Sequence, residues 1–92
     1  MSSRRYRIVV TAPAARTIAE FLPEKVAFAV VDFIVGPLLD DPRRVGAPLR
    51  GPLAGVWSAR RGTYRVLYRI EESAREVIVL RVAHRRDAYR AG

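Results

Sequence analysis

The sequence predicts a single α+β domain over residues 1–92, with chain order β-α-α-β-β-β. We expect an antiparallel sheet with two N-terminal helices packed on one of its faces. Three observations support this class. The chain of 92 residues is long enough for one compact domain and too short for two. Hydrophobic residues make up 50% of it and charged residues 28%, as in globular domains. Apolar residues alternate in the first and last segments and follow a helical period between them.

The first strand and the first helix are predicted from the opening residues. Arg5–Val10, RYRIVV, alternates and contains β-branched residues, which is typical of a strand. Thr11 is suited to cap a helix over APAARTIAEFL. Pro13 falls in the first turn of that helix, where a missing N–H does no harm.

A second, longer helix is predicted from Pro23 through PEKVAFAVVDFIVGPLL, with Gly36-Pro37 as the point where it kinks or ends. Its apolar residues form two stripes, so we expect cover on more than one side, part of it from a partner protein. The first stripe is Val26, Val30, Phe33 and Ile34, and the second is Phe28, Val31, Val35 and Leu39.

The second half of the chain predicts a three-stranded meander. Residues 40–55 contain three prolines and three glycines, which indicates an irregular connection. Strand-like runs then cover Val56–Arg60, Thr63–Ile70 and Glu76–Ala83. We expect turns at Arg61-Gly62 and around Glu71–Arg75.

Composition narrows the function classes. With no cysteine there is no disulfide framework or thiolate metal site, so we expect stability to come from packing. The longest apolar stretch is interrupted by Asp32 and Gly36-Pro37, and the N-terminus is basic. These features give no indication of export or membrane insertion, and they predict a cytoplasmic protein.

The net charge of +8 lies entirely in the second half of the chain. Residues 1–42 carry five basic and five acidic residues, whereas residues 43–92 carry 12 arginines and four acidic residues. Of the 17 basic residues 16 are arginine, whose planar fork suits bidentate phosphate contacts. The pattern favours a nucleic acid as partner over a solvated surface or an acidic protein.

Strand alternation predicts where these arginines lie. Side chains alternate across a strand, so one face of the meander is apolar and the other carries four arginines on three strands. We expect Arg60, Arg65, Arg69 and Arg81 on this face, with Ser58 beside Arg60 and with Val77 and Val79 beside Arg81. Clustered like charges repel and favour a bound anion. The alternatives are arginines that splay apart, cover apolar surface, or pair with Glu71, Glu72 or Glu76.

The tail VAHRRDAYR supplies two candidates for proton transfer. His84 is the only histidine, and an imidazole titrates near neutral pH. Tyr89 is a weaker base unless neighbouring arginines assist it. Each also has a structural interpretation, His84 as a surface or capping residue and Tyr89 as cover for an apolar edge.

The runs AGVWSARRGTYRVLYRI and VIVLRVAHRRDAY, with the approach LLDDPRRVGAPLRGPLAG, resemble the RelE group of bacterial toxins from toxin–antitoxin pairs. The resemblance covers residues 6–90. It implies the RelE/ParE fold and a ribosome-dependent nuclease that cuts mRNA in the A site of the 70S ribosome. The same fold also implies an alternative, a ParE-like inhibitor of DNA gyrase without nuclease activity. A nucleic-acid-binding module without activity is a third possibility.

The resemblance also implies roles for single residues. The strand arginine of the family's YR(L/V)(V/L)Y motif falls on Arg65, and the tail arginine and tyrosine fall on Arg85 and Tyr89. The resemblance implies attack by a ribose 2′-OH on the adjacent phosphate, with no metal and no cofactor. Arg65 and Arg85 would stabilise the phosphate charge, and Tyr89 or His84 would transfer the proton. RNA and phosphate contacts are expected from Ser58, Arg60, Arg61, Arg69, Arg81 and Arg86.

Two family lysines that precede the strand arginine are replaced here by Val56 and Ser58. Under either toxin interpretation a cognate antitoxin is expected. We expect its docking segment to be a partly acidic amphipathic helix, in a toxin–antitoxin hetero-oligomer.

Overall fold

A strand followed by a capped helix opens the fold, as predicted. The computed structural model describes residues 5–84, with β1 at Arg7–Val10 and α1 at Ala12–Arg16. Thr11 caps α1, since its Oγ1 accepts a hydrogen bond from the Ala14 amide at 3.4 Å. The same hydroxyl donates to the Leu80 carbonyl at 3.0 Å, which ties the start of the helix to the sheet. A π-helical turn, Thr17–Phe21, continues α1.

The second helix ends where the glycine and proline predict. Helix α2 spans Glu24–Val35, and a short helix α3 spans Pro37–Asp40 after the break at Gly36. The first apolar stripe of α2 faces the core, with Val30, Phe33 and Ile34 buried. No helix within residues 5–84 is both long and apolar enough to cross a bilayer.

The second apolar stripe of α2 stays largely uncovered. Phe28, Val31 and Val35 are 64%, 39% and 49% exposed, whereas Leu39 of the same stripe lies in α3 and is buried. The two-sided cover predicted for α2 is therefore incomplete in the isolated chain.

The remaining strands form the predicted meander. Strand β3 spans Trp57–Arg61, β4 spans Tyr64–Glu71 and β5 spans Glu76–His84. The irregular connection before them contains a two-residue strand β2, Ala47–Pro48, and a 3₁₀ turn, Gly51–Leu53.

These elements form one five-stranded sheet in the order β1-β5-β4-β3-β2. Neighbouring strands are antiparallel except β1, which pairs in parallel with β5. The helices between β1 and the meander make that parallel pairing possible, because a parallel pair needs a long crossover. The α+β fold class is confirmed, with one parallel pair in an otherwise antiparallel sheet.

One predicted face assignment is wrong, because β5 contains a bulge. Leu67 lies opposite Arg81 and the next residue, Tyr68, lies opposite Val79, so Leu80 is an extra residue in β5. The bulge reverses the alternation, and Val77 and Val79 face the helices and are fully buried. Arg81 stays on the face predicted for it, since it pairs with Leu67 and not with a core residue.

A buried tyrosine fastens the connection before β3 to the sheet. The Tyr68 hydroxyl donates a hydrogen bond of 2.6 Å to the Pro42 carbonyl, and its ring stacks on Trp57. Gly46 lies against this hydroxyl, because a Cβ at Gly46 would come within 2.2 Å of it. Burial raises the pKa of Tyr68 to about 12, so the group donates at all physiological pH values.

Candidate functional site

Strand pairing brings the predicted arginines together on the side of the sheet away from α1 and α2. Arg60 on β3 lies directly opposite Arg65 on β4. Arg81 on β5 lies opposite Leu67, which is two residues from Arg65 on the same face of β4. Arg69 is two residues further along β4 and lies opposite Ile78. We call this surface the arginine face, and it consists of Arg60, Arg65, Arg69 and Arg81. Like charges at directly opposed positions destabilise a sheet, so an anion would stabilise this arrangement.

Two of the three carboxylates that could have neutralised this face, Glu72 and Glu76, pair elsewhere. Glu72 forms ion pairs with Arg43 and Arg75, and Glu76 forms one with Arg7. Within residues 5–84, neither Arg60 nor Arg69 takes part in an ion pair. The charge of these two exposed arginines is therefore available to a ligand.

The middle of the arginine face is enclosed, while its ends are open. Arg65 is partly buried, and its Nε atom is inaccessible to solvent. Ser58 and Leu67, which oppose each other, are 6% exposed each. Arg65 therefore has less freedom to move than the exposed Arg60. A restricted side chain suits the stabilisation of developing charge.

Arg61 does not share this face. It pairs with Tyr64 and places its guanidinium 4.5 Å from the ring centre of Phe33 in α2, so it lies on the helix side of the sheet. There it borders a groove of about 530 Å³ whose apolar floor includes Val26, Val30 and Phe33. The predicted pair of supporting arginines, Arg60 and Arg61, is therefore divided between the two sides of the sheet.

His84 also lies on the helix side. It pairs with Tyr64 at the end of β5, and the two rings meet edge to face with centres 5.5 Å apart. Its neighbour Ala83 is the residue opposite Arg65. The sheet therefore separates the imidazole from the arginine face.

The remaining predicted site residues, Arg85, Arg86 and Tyr89, lie outside the described residues. The described chain ends at His84, one residue beyond the position opposite Arg65.

A second charged cluster was not predicted from the sequence. The Tyr6 hydroxyl donates to Glu72 at 2.5 Å, Arg43 bonds to the same carboxylate, and Arg75 lies 4.1 Å from the ring centre of Tyr6. The hydrogen bonds from Tyr6 and Arg43 lower the pKa of the Glu72 carboxyl. This cluster joins the residue before β1, the connection after α3 and the β4–β5 turn. Its members are distant in sequence, and no short motif connects them.

Comparison with known proteins identifies the family. Residues 8–89 match the model of the ParE toxin of type II toxin–antitoxin systems, parDE. The chain is 48% identical to Toxin RelE of Mycobacterium tuberculosis over 85 residues, which are 92% of this chain and 87% of that protein. It is 51% identical to Toxin RelG of the same organism, over 92% of this chain and 97% of that protein.

A solved structure agrees in fold and in sequence. It is the crystal structure of the toxin–antitoxin complex RelBE2 from Mycobacterium tuberculosis, with a TM-score of 0.83 and 49% identity. The match covers 88% of this chain and 99% of that chain. The chain therefore belongs to the RelE/ParE superfamily and is a toxin of a type II toxin–antitoxin system.

Proposed function

We propose that this toxin is a ribosome-dependent endoribonuclease that cleaves mRNA in the A site of the 70S ribosome and thereby inhibits translation. The direct opposition of Arg60 and Arg65 supports this proposal most strongly. It brings two arginines together on one surface, while Glu72 and Glu76 pair with other arginines. A phosphodiester is an anion that arginine forks contact in bidentate geometry. The similarity to toxins named RelE and RelG also favours RNA cleavage.

The reaction that suits this surface is transfer of the phosphodiester to the neighbouring ribose. The 2′-oxygen loses its proton and bonds to phosphorus, the bond to the 5′-oxygen of the next nucleotide breaks, and that oxygen takes up a proton. The products are a 2′,3′-cyclic phosphate and a free 5′-hydroxyl. Charge accumulates on the non-bridging oxygens, where Arg65, assisted by Arg85, would stabilise it. Arg60, the exposed arginine of the opposed pair, would bind the RNA strand.

Tyr89 is the stronger candidate for proton transfer. A general base must reach the proton it removes within hydrogen-bonding distance. The imidazole of His84 contacts Tyr64 on the opposite side of the sheet from Arg65, which counts against it. Tyr89 is the other residue to which the family resemblance assigns proton transfer.

A cognate antitoxin is the proposed protein partner, and the cytoplasm is the proposed location of the complex. The structure matched above is of a toxin–antitoxin complex. The exposed stripe of Phe28, Val31 and Val35 fits the apolar side of a partner helix. Co-purification with the product of the neighbouring gene tests this partner. Phe28→Glu should reduce recovery of the complex, and full recovery would place the antitoxin elsewhere.

The match to the ParE family model favours a second candidate, inhibition of DNA gyrase without nuclease activity. The two functions make different demands on the arginine face, since only phosphodiester cleavage needs Arg65 next to a reacting phosphate. Purified protein that blocks gyrase supercoiling and leaves ribosome-bound mRNA intact would select this candidate.

Growth arrest on induced expression tests the proposal in cells. Arg65→Ala should abolish arrest while the protein remains folded and able to bind its antitoxin. Arg16→Ala is the matched control, because Arg16 is an exposed arginine on α1, away from the arginine face. Equal toxicity of both variants would refute the assigned role of Arg65.

A further inference from the structure

We propose that Arg69 and the backbone of Gly55 form a second phosphate subsite, which binds a phosphate flanking the one that reacts. This inference rests on the proposed function, since it concerns the same RNA strand on the same face. It assigns a role in substrate positioning to a part of the face that the cleavage chemistry does not use.

Arg69 is separated from Arg65 along the strand. It lies four residues beyond Arg65 on β4, which is about 13 Å in a β-strand. Two arginines at this separation share one phosphate only if their side chains extend towards each other. The Arg69 side chain extends away instead, since its guanidinium lies beside Gly55, ahead of β3, whereas Arg60 and Arg65 lie at the β3–β4 turn.

The Arg69 guanidinium packs closely against Gly55. A Cβ on Gly55 would come within 3.2 Å of Arg69 Nη1, so the guanidinium lies close against a backbone that has no side chain. Gly55 has φ +94°, a conformation that L side chains rarely adopt. The glycine thus leaves room for the Arg69 head group, and Arg69 remains exposed.

The positive charge of Arg69 is available to a phosphate. Within the described part of the chain no carboxylate pairs with Arg69, and its partner across to β5 is the apolar Ile78. An arginine fork fixed at one end of a basic face is suited to bidentate contact with a phosphate. Such a contact would hold the strand in register without taking part in bond cleavage.

The test is binding of single-stranded RNA in which every 2′-OH is methylated, so that the strand cannot be cleaved. One oligonucleotide of about three nucleotides is too short to reach both sites, and one of about eight spans them. The affinity of the wild type, Arg69→Ala, Arg69→Lys and Arg16→Ala is measured across a range of salt concentrations.

Arg69→Ala should bind the longer RNA more weakly and reduce the slope of log K against log salt by about 0.7, as expected for one lost phosphate contact. Its affinity for the short RNA should equal that of the wild type. Arg69→Lys should retain most of the slope, and Arg16→Ala should retain all of it. Equal slopes for Arg69→Ala and Arg16→Ala would overturn the subsite. A wild type that binds the short and the longer RNA with equal affinity, or binds neither RNA, would also overturn it.

Cleavage of ribosome-bound mRNA by the same preparations separates this subsite from the proposed function. If the wild type cleaves and the Arg69→Ala slope is unchanged, the subsite is refuted and the function stands. If the slope falls as expected but the wild type cleaves nothing, the subsite stands and the function is refuted.

Discussion

Arg60 on β3 and Arg65 on β4 occupy directly opposed positions of an antiparallel pair, on the side of the sheet away from the helices. The two differ in burial, since Arg60 is exposed and Arg65 is partly enclosed. This difference suggests a division of work in which Arg65 holds the reacting phosphate and Arg60 attracts the strand.

The opposed arginines should make the fold sensitive to anions and to salt. Arg60→Ala removes one like charge and should raise the free energy of unfolding by roughly 0.2–1 kcal/mol at low ionic strength. Added salt should stabilise the wild type more than the variant, because screening weakens the repulsion. Thermal unfolding at low and high salt measures this, with Arg16→Ala as control. An Arg60→Ala variant less stable than the wild type at low salt would contradict it.

The contact between Gly46 and Tyr68 should appear as coupling between two substitutions. Tyr68→Phe leaves the buried Pro42 carbonyl without its donor and should cost about 1–3 kcal/mol. Gly46→Ala should cost more, because its Cβ would lie 2.2 Å from the Tyr68 hydroxyl. Removing that hydroxyl relieves the closest overlap, so the double variant should be more stable than the sum of the single effects predicts. Urea unfolding of all four proteins measures the coupling, and strictly additive effects would disprove the contact.

The Glu72 cluster should give the fold a dependence on acid. The pKa of Glu72 is lower in the folded chain than its ordinary value of 4.5, so its contribution is fully present above that pH. It is lost as the pH falls through the lower folded value. Glu72→Gln should therefore lower the Tm at neutral pH, and the gap to the wild type should narrow below about pH 4.5. Glu71→Gln provides the control, and a gap independent of pH would show that the ionised carboxylate is not what stabilises the cluster.

His84 and Tyr89 can be separated by conservative substitutions. His84→Phe keeps a ring against Tyr64, and it should leave cleavage near the wild-type rate. Tyr89→Phe removes only the hydroxyl, and it should slow the chemical step by about 10²–10⁴-fold if that group transfers the proton. Single-turnover cleavage on ribosomes measures both rates. A His84→Phe variant as slow as that range would make His84 the base.

The fold was predictable because local signals agreed with one another. Thr11 as a cap, Gly36-Pro37 as a break and the alternation in TYRVLYRI each indicated the element that the structure contains. The bulge at Leu80 was not predictable, since Val77–Leu80 are all apolar and alternation carries no information there. Only the pairing with β4 reveals it.

The parts of the candidate site that lie on one β-strand were predictable from the sequence. The parts that depend on how strands pair with one another were harder to predict. Arg65, Arg69 and the shared face with Arg81 followed from alternation. That His84 shares the helix side with Tyr64 depends on the register across two strands, which the tail sequence does not contain. Gly55 gave no signal, because its contact with Arg69 links a connecting segment to a strand.

Primer extension on a defined mRNA tests the central claim most directly. It compares the wild type, Arg65→Ala and Arg16→Ala, each with and without 70S ribosomes. We expect cleavage only with ribosomes, by the wild type and Arg16→Ala, and none by a folded Arg65→Ala. Full cleavage by Arg65→Ala, or none by the well-folded wild type, would contradict the central claim.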